Sequence, residues 1–241
     1  MAQILPITPS LINTFKTCPL QYKAKYITKE VVFQQNEAAA YGDRIHKAVE
    51  AALKHNAALT PEAAYMQPLV NWVKAYAAMP GVDMFVEERM GVTHADQPCG
   101  WRDKNVRYRG IMDVFLIDHN KRLNVNIDWK TGKPKDDQTQ ANILSMCATR
   151  RTGYVNNLNM WVFANHDKII HNKVKLDSLI PVQNTLADFT AYERACRNDE
   201  FPATPNGLCG KWCDVMSCQY NGRKPAPTTT APMGVLLGSI K

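Results

Sequence analysis

Gly110-Ile111-Met112-Asp113, followed after a polar turn by Ile127-Asp128-Trp129-Lys130, is the stretch that decides the fold of this chain. Leu123, Val125, Ile127 and Trp129 alternate with Asn124, Asn126, Asp128 and Lys130. Period-2 alternation assigns the apolar set to one face of a strand and Asp128 with Lys130 to the other. Asp118-His119-Asn120-Lys121-Arg122 carries a turn signal, so the two runs form a hairpin. A two- or four-residue loop centred on Asn120-Lys121 pairs residues whose numbers sum to 241 and sets Asp113 opposite Asp128. A three- or five-residue loop would slip that register by one. Directly opposed side chains have Cβ atoms about 4.5–5.5 Å apart, close enough for two carboxylates to repel. A divalent cation between them removes the penalty.

Working outward, strand-like runs occupy 84–92, 155–164 and 168–174, the last two joined through Asn165-His166-Asp167 as a second hairpin. Between the hairpins, 137 to about 151 reads as a helix ending before Gly153, and a final helix covers about 183–197. Near the N-terminus, Thr8-Pro9-Ser10 ahead of Leu11, Ile12 and Phe15 predicts a short capped helix, broken at Pro19 before Tyr22. Over 43–54, Ile45, Ala48, Val49, Ala52 and Leu53 recur at helical spacing, leaving His46 and Glu50 one turn apart on an adjoining face. Thr60 as N-cap and Pro61 in the first turn open another helix, with Leu69, Val70, Trp72, Val73 and Tyr76 buried.

Strands, a crossover helix and further strands predict an α/β fold, a central mixed sheet flanked by helices. The expected organisation is one domain over 1–222: an N-terminal helical segment (1–42), a core (43–200) and a cysteine-containing segment (201–222). A linker-like tail follows at 223–241 and is a candidate docking element for a protein partner.

With 45% hydrophobic and 21% charged residues in 241, the composition is that of a globular protein. No apolar run approaches the roughly 18 residues of a membrane span, and Met1 to Pro6 lacks the regions of a signal peptide. The expectation is a soluble, cytoplasmic protein with no membrane partner. Seven cysteines without secretory context point to thiols or metal ligands rather than a disulfide framework. The net charge of +7 favours a polyanionic partner. Between Trp101 and Arg151, eleven basic residues face six aspartates, so positive charge gathers around the hairpin. Arg107, Arg109, Lys133 and Lys135 are the candidate nucleic-acid contacts.

Phosphodiester hydrolysis at a metal site needs a cation to polarise the phosphate and activate water, and a group to orient that water. Oxygen ligands suit Mg2+ or Mn2+. Asp113 and Asp128 are read as the metal ligands, with Lys130 positioning the attacking water and offsetting developing charge. His46 completes the metal shell or orients its water. As D-x-K alone is a common strand pattern, the case rests on the ensemble.

That ensemble resembles the PD-(D/E)xK nuclease superfamily, and within it the RecB-like branch. This branch includes helicase-nuclease subunits, CRISPR adaptation nucleases with an iron-sulfur cluster and phage exonucleases. The resemblance runs from Ile7 to about Tyr220: Pro9-Ser10 with Cys18-Pro19 and Tyr22, Gly42-Asp43-Arg44-Ile45-His46, the Gly110 to Asp113 run, Asp128-Trp129-Lys130, a glutamine-bearing helix and late cysteines. It implies a restriction-endonuclease-like core and adds Gln140 to the catalytic set, with Gln138 as a rival. The branch usually continues its glutamine helix as Q-x-x-x-Y, whereas Leu144 stands four residues after Gln140. It also implies that Cys18, Cys209, Cys213 and Cys218 hold a 4Fe-4S cluster or a structural Zn2+. Here the late trio is C-x3-C-x4-C where cluster-bearing members have C-x2-C-x5-C. Cys99, Cys147 and Cys196 read as small apolar residues, and Trp212 as packing.

The implied activity is that of a metal-dependent DNA exonuclease acting on single strands or duplex ends, in recombination, repair or phage DNA metabolism. The alternatives are a CRISPR adaptation nuclease of the same fold and a cleavage-inactive DNA-binding or assembly module. The last gains nothing from two close carboxylates facing a phosphate backbone.

Overall fold

The computed structural model describes residues 2–31 and 36–223, so the expected tail lies outside the described residues apart from Arg223. Six strands form one mixed sheet: β1 (Val82–Thr93), β2 (Pro98–Cys99), β3 (Val106–Asp118), β4 (Leu123–Trp129), β5 (Asn156–Phe163) and β6 (Lys168–Lys175). Their order is β2-β1-β3-β4-β5-β6. β4 and β5 run parallel and every other pair is antiparallel. The β3–β4 hairpin pairs Asp118 with Leu123 and Val114 with Ile127, the register that sums to 241, and closes through the four-residue loop 119–122. Parallel pairing of β4 with β5 requires a crossover. Helix α5 (Gln138–Thr152) supplies it, capped by Asp137 at its start and by Gly153 in the left-handed region (φ 74°) at its end.

Helices cover both faces. On one, Ile45, Val49 and Leu53 of α3 (Glu37–His55) and Val70 and Val73 of α4 (Gln67–Ala77) pack on Val114, Leu116, Val125 and Ile127. On the other, α5, α1 (Pro9–Thr17) and α6 (Gln183–Asn198) bury Leu11, Phe15, Ile143, Phe189 and Tyr192 against Phe115 and Trp161. Gly110 lets α5 approach β3, since a Cβ there would collide with Leu144 Cδ2. Leu144 is thus core packing and not a substrate-facing counterpart of the tyrosine in Q-x-x-x-Y.

The alternation in β4 is as read, but its polar face is not solvated. Asn124 and Asn126 are fully buried and donate to Asn157 and Asn159 of β5 at 3.0 and 2.8 Å. Asn157 and Asn159 in turn donate to Thr149 and Ser145 of α5, both at 3.0 Å. Sequence period cannot distinguish water from a polar helix face as the partner of a polar strand face.

Other elements differ from expectation for identifiable reasons. α3 begins at Glu37, capped by Asn36, so the expected boundary at 42/43 falls inside it. The helix expected from Pro61 opens as a 3-10 turn, Pro61–Met66, and becomes α-helical only at Gln67. Pro68, which has no N–H to give, sits in that new first turn. Trp72, expected in the core, is 42% exposed and stacks on Tyr76. After Pro19, the helix α2 (Pro19–Tyr22) continues as a wider π-type turn, Lys23–Ile27. β2 is too short to carry a period.

Candidate active site

Asp113 and Asp128 stand just beyond the last ladder pair of β3 and β4, and both are buried. Asp113 Oδ2 accepts the Trp129 N–H at 2.8 Å, which ties it to the D-x-K segment. His46, projecting from α3, places Nδ1 3.4 Å from the same oxygen. Glu50, one turn along, pairs with Lys54 at 2.6 Å instead of joining this group.

Glu87 of β1 joins it. Among the described residues, the ligand atoms of His46, Glu87 and Asp113 form the one group of three or more His, Cys, Asp or Glu side chains lying within 4.8 Å of one another. Glu87 adopts φ 55° in mid-strand, opposite Asp113, and the ladder skips both residues between Val86–Val114 and Glu88–Met112. Both strands exchange faces here. Met84 and Val86 face α3 and α4 while Met90 and Val92 face α5, and on β3 Val114 and Met112 do the same. Sequence reading missed Glu87 because an alternation that inverts at one residue hides which face that residue serves. The register of β1 with β3 would have placed it opposite Asp113, but β1 reaches β3 through the short strand β2 and two turns, so no single turn fixes that register.

A second group forms around Asp128. Its Oδ1 accepts from Gln140 Nε2 at 2.7 Å, Lys130 Nζ lies 2.6 Å from its Oδ2, and Lys130 donates to Gln140 Oε1 at 3.2 Å. Gln140 comes from the first turn of α5, where its N–H is held by the Asp137 cap at 2.9 Å. Gln138 turns away and bonds Asn142 and Asn172. Of the two glutamines, only Gln140 is among the carboxylates.

Burial, with the charge of Asp113 added, raises the pKa of Asp128. Burial and Asp113 also raise that of Glu87. Burial pulls the His46 imidazole down, but the bond to Asp113 and the charges of Asp113 and Asp128 outweigh it and carry its pKa to about 9. Asp128 Oδ2 is buried with no aligned hydrogen bond, so Lys130 reaches it as a charge rather than as a well-directed donor. Three carboxylates against one lysine, with an imidazole beside them, fit a hard divalent cation.

The expected basic contacts separate. Arg109 lies in a cavity that also reaches Lys130 and Gln140. Lys135 lines a neighbouring cleft with Asn13 and Lys16, and Lys133 is exposed. Arg107 is taken up inside the fold: its Nε donates to Glu193 at 2.8 Å, and its guanidinium lies over Phe189. A charged residue on a strand does not announce which helix will pack beside it.

Cys18, Cys209, Cys213 and Cys218 line one small cavity, and none forms a disulfide. The backbone N–H groups of Thr204 and Asn206 donate to Cys18 Sγ and Cys209 Sγ, each at 3.4 Å. Cys147 and Cys196 are buried in the core. Trp212, expected to pack, is 74% exposed.

Paired strand carboxylates, a lysine two residues beyond the second and a helix-borne glutamine, gathered at one point of a mixed sheet, define a class: nucleases that hydrolyse phosphodiesters with a metal. The family described as the PD-(D/E)XK nuclease superfamily matches residues 6–219, and the chain belongs to it. The crystal structure of SSO0001 aligns with a TM-score of 0.43 and 12% identity, over 92% of this chain and 89% of that one. Among curated proteins, none matches. No helix of the described residues is long and apolar enough to cross a membrane.

Proposed function

We propose that the chain is a Mg2+- or Mn2+-dependent DNA exonuclease of the RecB-like branch that processes DNA ends in recombination, repair or phage DNA metabolism. The observation that carries this reading is the convergence of Asp113, Asp128, Lys130 and Gln140 with His46 and Glu87. When bound, the cation supplies Lewis-acid activation of the phosphodiester and of water. Asp113, Asp128, His46 and Glu87 would hold it. Lys130 Nζ, steered by Asp128 and Gln140, orients the attacking water and offsets charge developing on the phosphate. Gln140 acts through the other two as a positioning residue. End-labelled single- and double-stranded DNA, digested in Mg2+, Mn2+ or chelator, tests the reading. Shortening from the ends should require the cation, and Asp128→Ala or Lys130→Ala should abolish it with DNA affinity largely kept. Undiminished cleavage by either variant would sink the assignment.

The four cysteines are assigned a 4Fe-4S cluster that clasps the two ends of the domain. Their convergence on one cavity from residues 18 and 209–218 supports this, as do the N–H donors aimed at two of the sulfurs. Anaerobically purified protein should show a broad visible absorption that Cys18→Ala abolishes, with a lowered melting temperature. A colourless protein containing zinc would replace the cluster with a single ion.

A further inference from the structure

Beside the proposed cleavage centre lies an open cavity of about 530 Å³. Lys130, Gln140, Trp101 and Arg109 line it, with the first turn of α1 as a further wall. Its size is within the range of small-ligand sites. Trp101 sits in the turn after β2, half-buried, with the Arg109 guanidinium 4.2 Å from its ring centre and that of Arg89 at 6.0 Å. Arg109 NH1 donates to Trp101 O at 2.8 Å, so the pair is locked together. A guanidinium carries its positive charge at every physiological pH, and Arg109 brings that charge to the wall of the same cavity that Lys130 and Gln140 line.

We propose that this cavity binds one unpaired nucleotide of single-stranded DNA next to the scissile phosphodiester, its base stacked on the Trp101–Arg109 pair and its phosphate held by Arg109. The inference rests on the nuclease reading above. A planar aromatic-guanidinium platform suits a base face, and guanidinium suits phosphate. A base inside a duplex is already stacked and paired and must be extracted at a cost, so the subsite selects single strands or frayed ends. The other polar side chains of the cavity are engaged with one another: Asn13 donates to Asp137 at 3.0 Å, and the Thr8 and Ser10 hydroxyls lie 3.3 Å apart. Few groups remain to read base edges, so the subsite accepts any base.

The test uses labelled single-stranded oligonucleotides, each with one abasic site at a successive position from the end, bound in chelator. One position should weaken wild-type binding by roughly tenfold when its base is missing. That step should vanish in Trp101→Ala and survive in part in Trp101→Phe, whose smaller ring still stacks. A flat scan with the wild-type protein overturns the subsite whether or not the variants fold, as does a step that persists in Trp101→Ala. The two readings fail separately. Cation-dependent cleavage with a flat scan removes the subsite and leaves the nuclease, whereas a stepped scan in a protein that cleaves no DNA in Mg2+ or Mn2+ does the reverse.

Discussion

Glu87 shows how much one residue contributes to the candidate centre. Its left-handed backbone is unfavourable for a side chain in mid-strand, yet it brings a third carboxylate to His46 and Asp113. Glu87→Gln should weaken Mn2+ binding by roughly tenfold, about 1.4 kcal/mol, as read by isothermal titration. An unchanged affinity would leave Glu87 outside the ligand set. Asp128 carries the opposite message for stability. Its raised pKa means that folding disfavours its charged form, so the penalty is present above that pKa and relieved as pH falls through it. In chelator at neutral pH, Asp128→Asn should therefore melt above the wild type. It should also lose most of the rise in melting temperature that Mn2+ gives the wild type, a rise worth about 2.7 kcal/mol at a hundred times Kd.

At the scale of elements, the β3–β4 hairpin is pinned at both ends. At its turn, Asp118 accepts from Tyr76 of α4 at 2.7 Å, and from the Lys121 backbone and ammonium, each at 2.9 Å. Burial pushes the Asp118 carboxyl up, but the bonds from Tyr76 and Lys121 outweigh it and hold its pKa at about 2. A depressed carboxylate stabilises the fold above its unfolded pKa, and that stabilisation is lost as pH falls through the folded value. Asp118→Asn should thus lower the melting temperature at pH 6, and its deficit should narrow as pH drops from about 4 toward 2. A deficit independent of pH would mean that the charge of Asp118 contributes nothing. The same hairpin was the most legible element, because its turn residues and two-residue period are local. α5 was legible in its bounds, from Asp137 and Gly153, but not in its surroundings. Residues 141–149 are all buried, against apolar side chains and the asparagine face of β4 and β5, so no apolar stripe marks its orientation.

Across the whole molecule, the candidate centre forms where three layers meet. α3 delivers His46 from one face of the sheet, α5 delivers Gln140 from the other, and β1, β3 and β4 supply the carboxylates between them. The sequence alone pointed to the mixed sheet with flanking helices, to the hairpin with a choice of two registers, and to Asp113, Asp128 and Lys130 as its chemistry, and the structure chose the register that sums to 241. Turn chemistry and side-chain period act over a few residues and can be read along the chain. Only the tertiary structure brought in Glu87, decided between Gln140 and Gln138, and sent Arg107 to Glu193 while leaving Arg109 at the cleft. Each of those outcomes depends on which distant element packs beside a residue, and packing is settled by the burial of whole faces rather than by any local pattern.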